Sequence, residues 1–133
     1  MRLIVPWTRR QGDATADVQG SSPSIILRTN CTVTTRCGER LESAGLHTKI
    51  VGIGPLFQVW FAESPIRNYR DAVHYARKDL FRMWWEEMME RGVLFHPDAF
   101  ENLFVSFAHT ETDVESTLKA VDGAVPELRR RMR

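Results

Sequence analysis

Two alternating runs and two helical stripes predict an α+β fold, a small antiparallel sheet with helices on one face. The runs are 56–62 (LFQVWFA) and 102–109 (NLFVSFAH), which carry apolar residues at every second position. The stripes are Leu80, Phe81, Trp84, Trp85 and Met88, then Val114, Leu118 and Val121, at three- and four-residue spacing. Together with two short strands they give the order β-β-α-β-β-α.

Residues 8–24 are polar and contain glycine, serine and proline without either period, which reads as loop or disorder. Ile25-Ile26-Leu27 and the β-branched run Thr32–Thr35 have strand composition but no patterned partner nearby. Residues 48–53 (TKIVGI) read as a strand, Gly54-Pro55 as a turn, and 56–62 as the second strand of a hairpin. In that strand Phe57, Val59 and Phe61 share one face, and Leu56, Gln58 and Trp60 the other. Asn68, with Asp71 three residues on, caps a helix expected to run unbroken to Arg91 and to stop at Gly92. A short strand at 93–95 precedes a turn at His96-Pro97-Asp98, and 102–109 forms the last strand. Thr110 and Asp113 have capping-box spacing, and Gly123 and Pro126 are expected to end the helix they start.

With 133 residues, 43% hydrophobic and 26% charged, the chain suits one globular domain and is too apolar for disorder throughout. No run approaches the roughly 20 apolar residues a bilayer requires. A net charge of +1 gives no global reason to seek nucleic acid. Residues 41–128 hold eight basic and fourteen acidic side chains, and the last five residues hold four arginines. That RRRMR end reads as a solvated basic tail. Cys31 and Cys37 lack the further ligands of a zinc site, so reduced thiols and a cytoplasmic location are expected.

Most catalytic patterns are missing. Gly52-Ile53-Gly54 lacks the third glycine of a dinucleotide fingerprint and runs into a strand, so no helix N-terminus would meet a phosphate. His47, His74, His96 and His109 have no metal-ligand spacing and read as solvated or hydrogen-bonded; no metal site is expected. Asp98 and Glu101 lie three apart in a turn, where acids commonly sit for solvation. The Trp84-Trp85 pair reads as core or interface packing, with the outward side of its helix unusually apolar.

One segment is more specific. Glu90-Arg91-Gly92-Val93, then Phe100-Glu101, then Val105-Ser106 and Ala108-His109-Thr110, resembles the C-terminal end of class-III aminotransferases. It is most similar to the glutamate-1-semialdehyde aminomutase group, and Tyr69-Arg70-Asp71-Ala72 resembles the helix entry of that family. Asp98 stands where the aminomutases commonly carry serine, and the first forty residues do not match the family's long helix leading into this domain.

The resemblance implies the C-terminal small domain of a fold-type-I, pyridoxal-phosphate-dependent enzyme. It sets residues 38–125 as that domain, 1–37 as a poorly structured or unrelated segment and 126–133 as the basic tail. The Schiff-base lysine, the pyridine-nitrogen acid and the phosphate cradle would belong to a large domain. Pyridoxal phosphate is thus implied for the whole enzyme and not for this chain alone, which would be a fragment or subunit that is not catalytic by itself. A split subunit, a truncated or fused gene and a remnant remain alternative histories. The expected partner is a large cofactor-binding domain or subunit, or a second copy, with neither membrane nor nucleic acid. The resemblance assigns one site residue: Glu101, for substrate contact. The alternative is a non-catalytic interaction module that keeps the fold.

Overall fold

The computed structural model describes residues 5–6, 23–53, 55–106 and 108–132. The reading of 8–24 as loop therefore lies outside the described residues, apart from its last two positions. Among the described residues nine elements follow in order: β1 (Val5–Pro6), α1 (Pro23–Ser43), β2 (Thr48–Ile53), β3 (Leu56–Phe61), α2 (Tyr69–Tyr75), α3 (Lys78–Glu90), β4 (Val93–Leu94), β5 (Leu103–Phe104) and α4 (Glu111–Arg131). The antiparallel sheet has the order β2-β3-β5, and β1 pairs with β4 in a separate ribbon.

The hairpin register sets Thr48 against Phe61 and Ile53 against Leu56, so each face of the sheet is defined residue by residue. Phe57, Val59 and Phe61 point into a core built with Val33, Cys37 and Leu41 of α1, Phe81, Trp84 and Met88 of α3, and Leu118, Val121 and Leu128 of α4. Helices cover this inner face, as the two periods require. Gly52 serves the hairpin: a Cβ there would lie 2.5 Å from the Leu56 carbonyl oxygen and 2.9 Å from the Phe57 Cβ.

Three expectations about the helices are corrected. The first concerns residues 25–36, which belong to the 21-residue helix α1 and not to a strand or a poorly structured segment. Val33, Cys37 and Leu41 form its buried stripe at four-residue spacing, which the β-branched composition of 32–35 concealed. The helix crosses residue 37 and closes on Gly45 (φ 76°), with Leu46 N–H donating to the Leu41 carbonyl and Gly45 N–H to the Glu42 carbonyl.

Second, the helix expected over 69–91 is two helices. Arg77 N–H donates to the Phe61 carbonyl at 2.8 Å, which turns the chain at Ala76-Arg77 without glycine or proline. Third, α4 continues past Gly123 and through Pro126 to Arg131. Pro126 is exposed, so water can reach the carbonyl that loses its partner, while the fully buried Ala124 and Leu128 hold the helix on either side. The supposed tail is therefore mostly helical, with Arg131 2.8 Å from Glu86 and Arg130 2.6 Å from Glu127. The Thr110–Asp113 capping box forms as expected.

The last strand is shorter than its alternation suggests. Only Leu103-Phe104 pairs with β3, and Ser106 N–H then donates to Nδ1 of His109, drawing the chain into a turn before α4. Phe107 lies outside the described residues. No described helix is long and apolar enough to cross a membrane.

Candidate functional site

The outer face of the sheet carries Lys49, Val51 and Ile53 of β2 and Leu56, Gln58 and Trp60 of β3. The 96–101 turn lies across it. Ala99 is buried, and the Gln58 amide donates to its carbonyl. Phe100 is half-buried, edge-on to Trp60 with ring centroids 5.4 Å apart. Asp98 is exposed, and its carboxylate accepts from Phe100 N–H at 2.9 Å, which shapes the turn. Glu101, the next residue after Phe100, is exposed, with no side-chain hydrogen bond or ion pair among the described residues.

Tyr69 stands next to the turn because Asn68 caps α2, accepting from Asp71 N–H at 3.1 Å. Its ring lies 5.7 Å from that of Phe100. Trp60, Tyr69 and Phe100, with Val51, Arg67 and Ala72, line a cavity of about 300 Å³ open to solvent. Sequence reasoning missed this recess. Its signal was available in Trp60, a large aromatic on the side of β3 opposite the core residues.

A second cavity, about 330 Å³, lies between α1 and β2 and is lined by Thr34, Glu39, Glu42 and Thr48 among others. The remaining candidates resolve into structural roles. His74 stacks edge-on against Tyr75, Nδ1 of His96 accepts from Asp98 N–H, and His109 bonds Ser106. No group of acids, histidines and cysteines among the described residues could hold a metal ion. Cys37 is packed in the core, where burial pushes its thiol up to about 12.

Trp85 is half-buried: its indole N–H donates to the Phe95 carbonyl at 2.7 Å and Arg82 lies 4.7 Å from its ring centroid. The outward side of α3 is also charged, with Arg82 on Glu86 at 3.2 Å. The outward apolar face expected of the 70–91 helix lies mainly on its first part, α2, where Val73 is 47% exposed, and on Met89 of α3, 42% exposed. Tyr69 beside it is 73% exposed, and the sheet adds Ile53 at 80% and Val51 at 47%.

A pyridoxal phosphate site needs a lysine free to form an aldimine and an acid for the ring nitrogen. Lys49 lies 3.6 Å from Glu42, Lys78 sits 4.6 Å over the Phe100 ring, and Lys119 is exposed on α4. None lines either of these cavities. The described residues do not fit the cofactor.

No family model matches the chain. It is 36% identical over 91 residues to a glutamate-1-semialdehyde 2,1-aminomutase of Clostridium novyi, covering 68% of this chain and 21% of that protein. A second such aminomutase, of Exiguobacterium sibiricum, is 40% identical over 75 residues, covering 56% of this chain and 17% of the relative. Among solved structures, an omega-transaminase from Sphaerobacter thermophilus superposes with a TM-score of 0.66 at 18% identity, over 80% of this chain and 24% of that one. A β-phenylalanine aminotransferase from Variovorax paradoxus gives 0.68 at 14% identity, over 77% and 23%. The chain thus spans about a fifth of the length of the curated relatives it matches. It carries the C-terminal small domain of the class-III pyridoxal-phosphate-dependent aminotransferase family, homologous in sequence to that of the glutamate-1-semialdehyde aminomutases.

Proposed function

We infer that this chain works as the small domain of a pyridoxal-phosphate-dependent aminotransferase or aminomutase, completing a site whose cofactor lies in a larger domain. The observation that carries this reading is the homologous stretch of about a fifth of the relatives' length, folded as the small domain, without a lysine placed for an aldimine. The cofactor, when bound to the larger domain, supplies the electron sink for amino-group chemistry. This chain would supply Glu101, held at the edge of the outer face by the buried Ala99 and the Gln58–Ala99 bond. There its carboxylate would pair with a substrate ammonium, an attraction that strengthens as the closing interface excludes water.

The test is purification of the chain from its native source, followed by borohydride reduction and mass spectrometry of co-eluting polypeptides. The reading predicts a stoichiometric partner, or an extension of the same polypeptide, with a pyridoxyl-modified lysine. A stoichiometric partner without such a lysine would instead identify an interaction module.

A further inference from the structure

We propose that the cleft between α1 and the free edge of β2 takes an extended segment of another polypeptide as an added antiparallel strand, with a lysine or arginine side chain entering the cleft. The backbone defines the ligand class. Ala62 N–H donates to the His47 carbonyl, and the same register continues along the hairpin, so Lys49, Val51 and Ile53 are the residues of β2 that bond β3. Thr48, Ile50 and Gly52 therefore turn their N–H and C=O groups away from β3, and among the described residues nothing bonds them there. Such an alternating row of donors and acceptors is completed by another extended chain.

Many sheet edges are merely solvated, but this one has a cleft beside it. The cavity of about 330 Å³ has Gly38, Glu39 and Glu42 of α1 on one wall and Thr48 and Ile50 of β2 on the other. Thr48 is buried and its hydroxyl has no hydrogen-bond partner, which is uncommon for a buried polar group. The side chains of Thr48, Ile50 and Gly52 share the inner face, so an antiparallel strand paired with them directs its matching side chains toward α1. The nearby cations are engaged elsewhere: Arg36 meets Glu115 at 2.6 Å and Arg40 meets Asp122 at 2.7 Å, both on α4. Lys49 reaches Glu42 at 3.6 Å and balances that carboxylate, while Glu39 is exposed without an ion pair among the described residues. The acid left over, with Ile50 beside it, suits a cationic head on an apolar stem. A second copy fits less well, because antiparallel pairing through its own β2 brings its α1 to the same side of the sheet, where the cleft lies. This inference goes beyond the reading above, because it requires neither the cofactor nor Glu101.

The test uses the full chain, labelled with ¹⁵N, and the capped pentapeptide acetyl-Thr-Val-Lys-Val-Thr-amide, whose threonines and lysine share one face. Saturable binding should slow hydrogen exchange at the Ile50 and Gly52 amides, which face the free edge, and leave Lys49 and Val51, already bonded to β3, unchanged. N-methylation of the peptide's lysine removes an N–H that faces β2 and should weaken binding about tenfold, whereas N-methylation of the second valine, whose N–H faces away, should not. Replacing the lysine by glutamate should also weaken binding about tenfold, and Glu39→Lys, at an exposed position, should reverse that preference. Equal effects of the two N-methyl groups, the opposite order of those effects, indifference to lysine against glutamate, or no saturable response would overturn the proposal. So would slowed exchange at Ile50 and Gly52 on raising protein concentration alone, which would make a second copy the occupant. Displacement of the peptide by n-butylamine at equal concentration would show a small-amine site and overturn it equally. The peptide arms need no variant, so they decide the matter even where Glu39→Lys fails to fold. No partner chain enters this titration, so its failure leaves the borohydride test unaffected.

Discussion

The two faces of one three-stranded sheet differ in what completes them. The inner face is finished by the chain itself: Phe57, Val59 and Phe61 meet three helices, and Leu41, Val121 and Leu128 lose all contact with solvent. The outer face is half-finished: a six-residue turn covers Gln58 and Trp60, while Ile53 and Tyr69 stay largely in water. The asymmetry places the buried core in the helix layer and leaves apolar area exposed on the outer one.

Truncation on each side should separate these roles most sharply. Leu118→Ala empties a buried core position on α4, for an expected loss of about 2–5 kcal/mol in urea denaturation. Tyr69→Ala, on the outer face, should stay within about 0.5 kcal/mol. Similar losses at the two positions would break the comparison.

A smaller effect is expected where the faces meet, in the hairpin. Gly52→Ala presses a methyl group against the Leu56 carbonyl and the Phe57 Cβ, for an overpacking cost of about 1–3 kcal/mol. Unchanged stability in that variant would mean the hairpin is looser than its register indicates.

Smaller again is the electrostatic seam around the helix layer. A hydrogen bond from Arg36 holds Glu115 below its usual carboxylate range, and hydrogen bonds from Arg131 and then Arg82 do the same for Glu86. A depressed folded-state value contributes stability that is present above the ordinary 4.5 and is lost as pH falls through the folded value. All these groups are solvent-accessible, so salt should weaken the contribution. The check is a denaturation series from neutral pH to below pH 4.5, at low and high salt, with acid loss reduced in Glu86→Gln/Glu115→Gln.

The smallest change in stability is expected at Glu101. Glu101→Gln should leave the melting curve unchanged, because the side chain is exposed and unpaired among the described residues. In an assembled enzyme it should lower turnover or raise KM. Wild-type kinetics there would remove Glu101 from the site.

The same contrast explains what the sequence disclosed. Regular alternation in 56–62 made both faces of β3 readable, and the Thr110–Asp113 spacing located the start of α4. Local chemistry misled where tertiary contacts decide. A β-branched run hid the Val33–Cys37–Leu41 stripe, and Pro126 looked like a stop although Ala124 and Leu128 hold the helix through it. The break at Ala76-Arg77 depends on a hydrogen bond to Phe61, sixteen residues back, which no local pattern encodes. The recess was only partly legible for a related reason: Trp60 marked an outward aromatic on β3, but Tyr69 and Phe100 come from a helix start and a turn that only folding brings to it. Glu101 drew attention through resemblance alone, since an exposed turn acid has no distinctive physical signature.

The central claim is that the outer face carries the contact to the larger protein while the helix layer stands alone. Hydrogen–deuterium exchange, compared between the isolated chain and its native assembly, tests it most directly. Strands β2 and β3, α2 and the 96–101 turn should become more protected in the assembly, with α1 and α4 unchanged. New protection confined to α1 and α4, with the outer face exchanging as it does in the isolated chain, would contradict the claim.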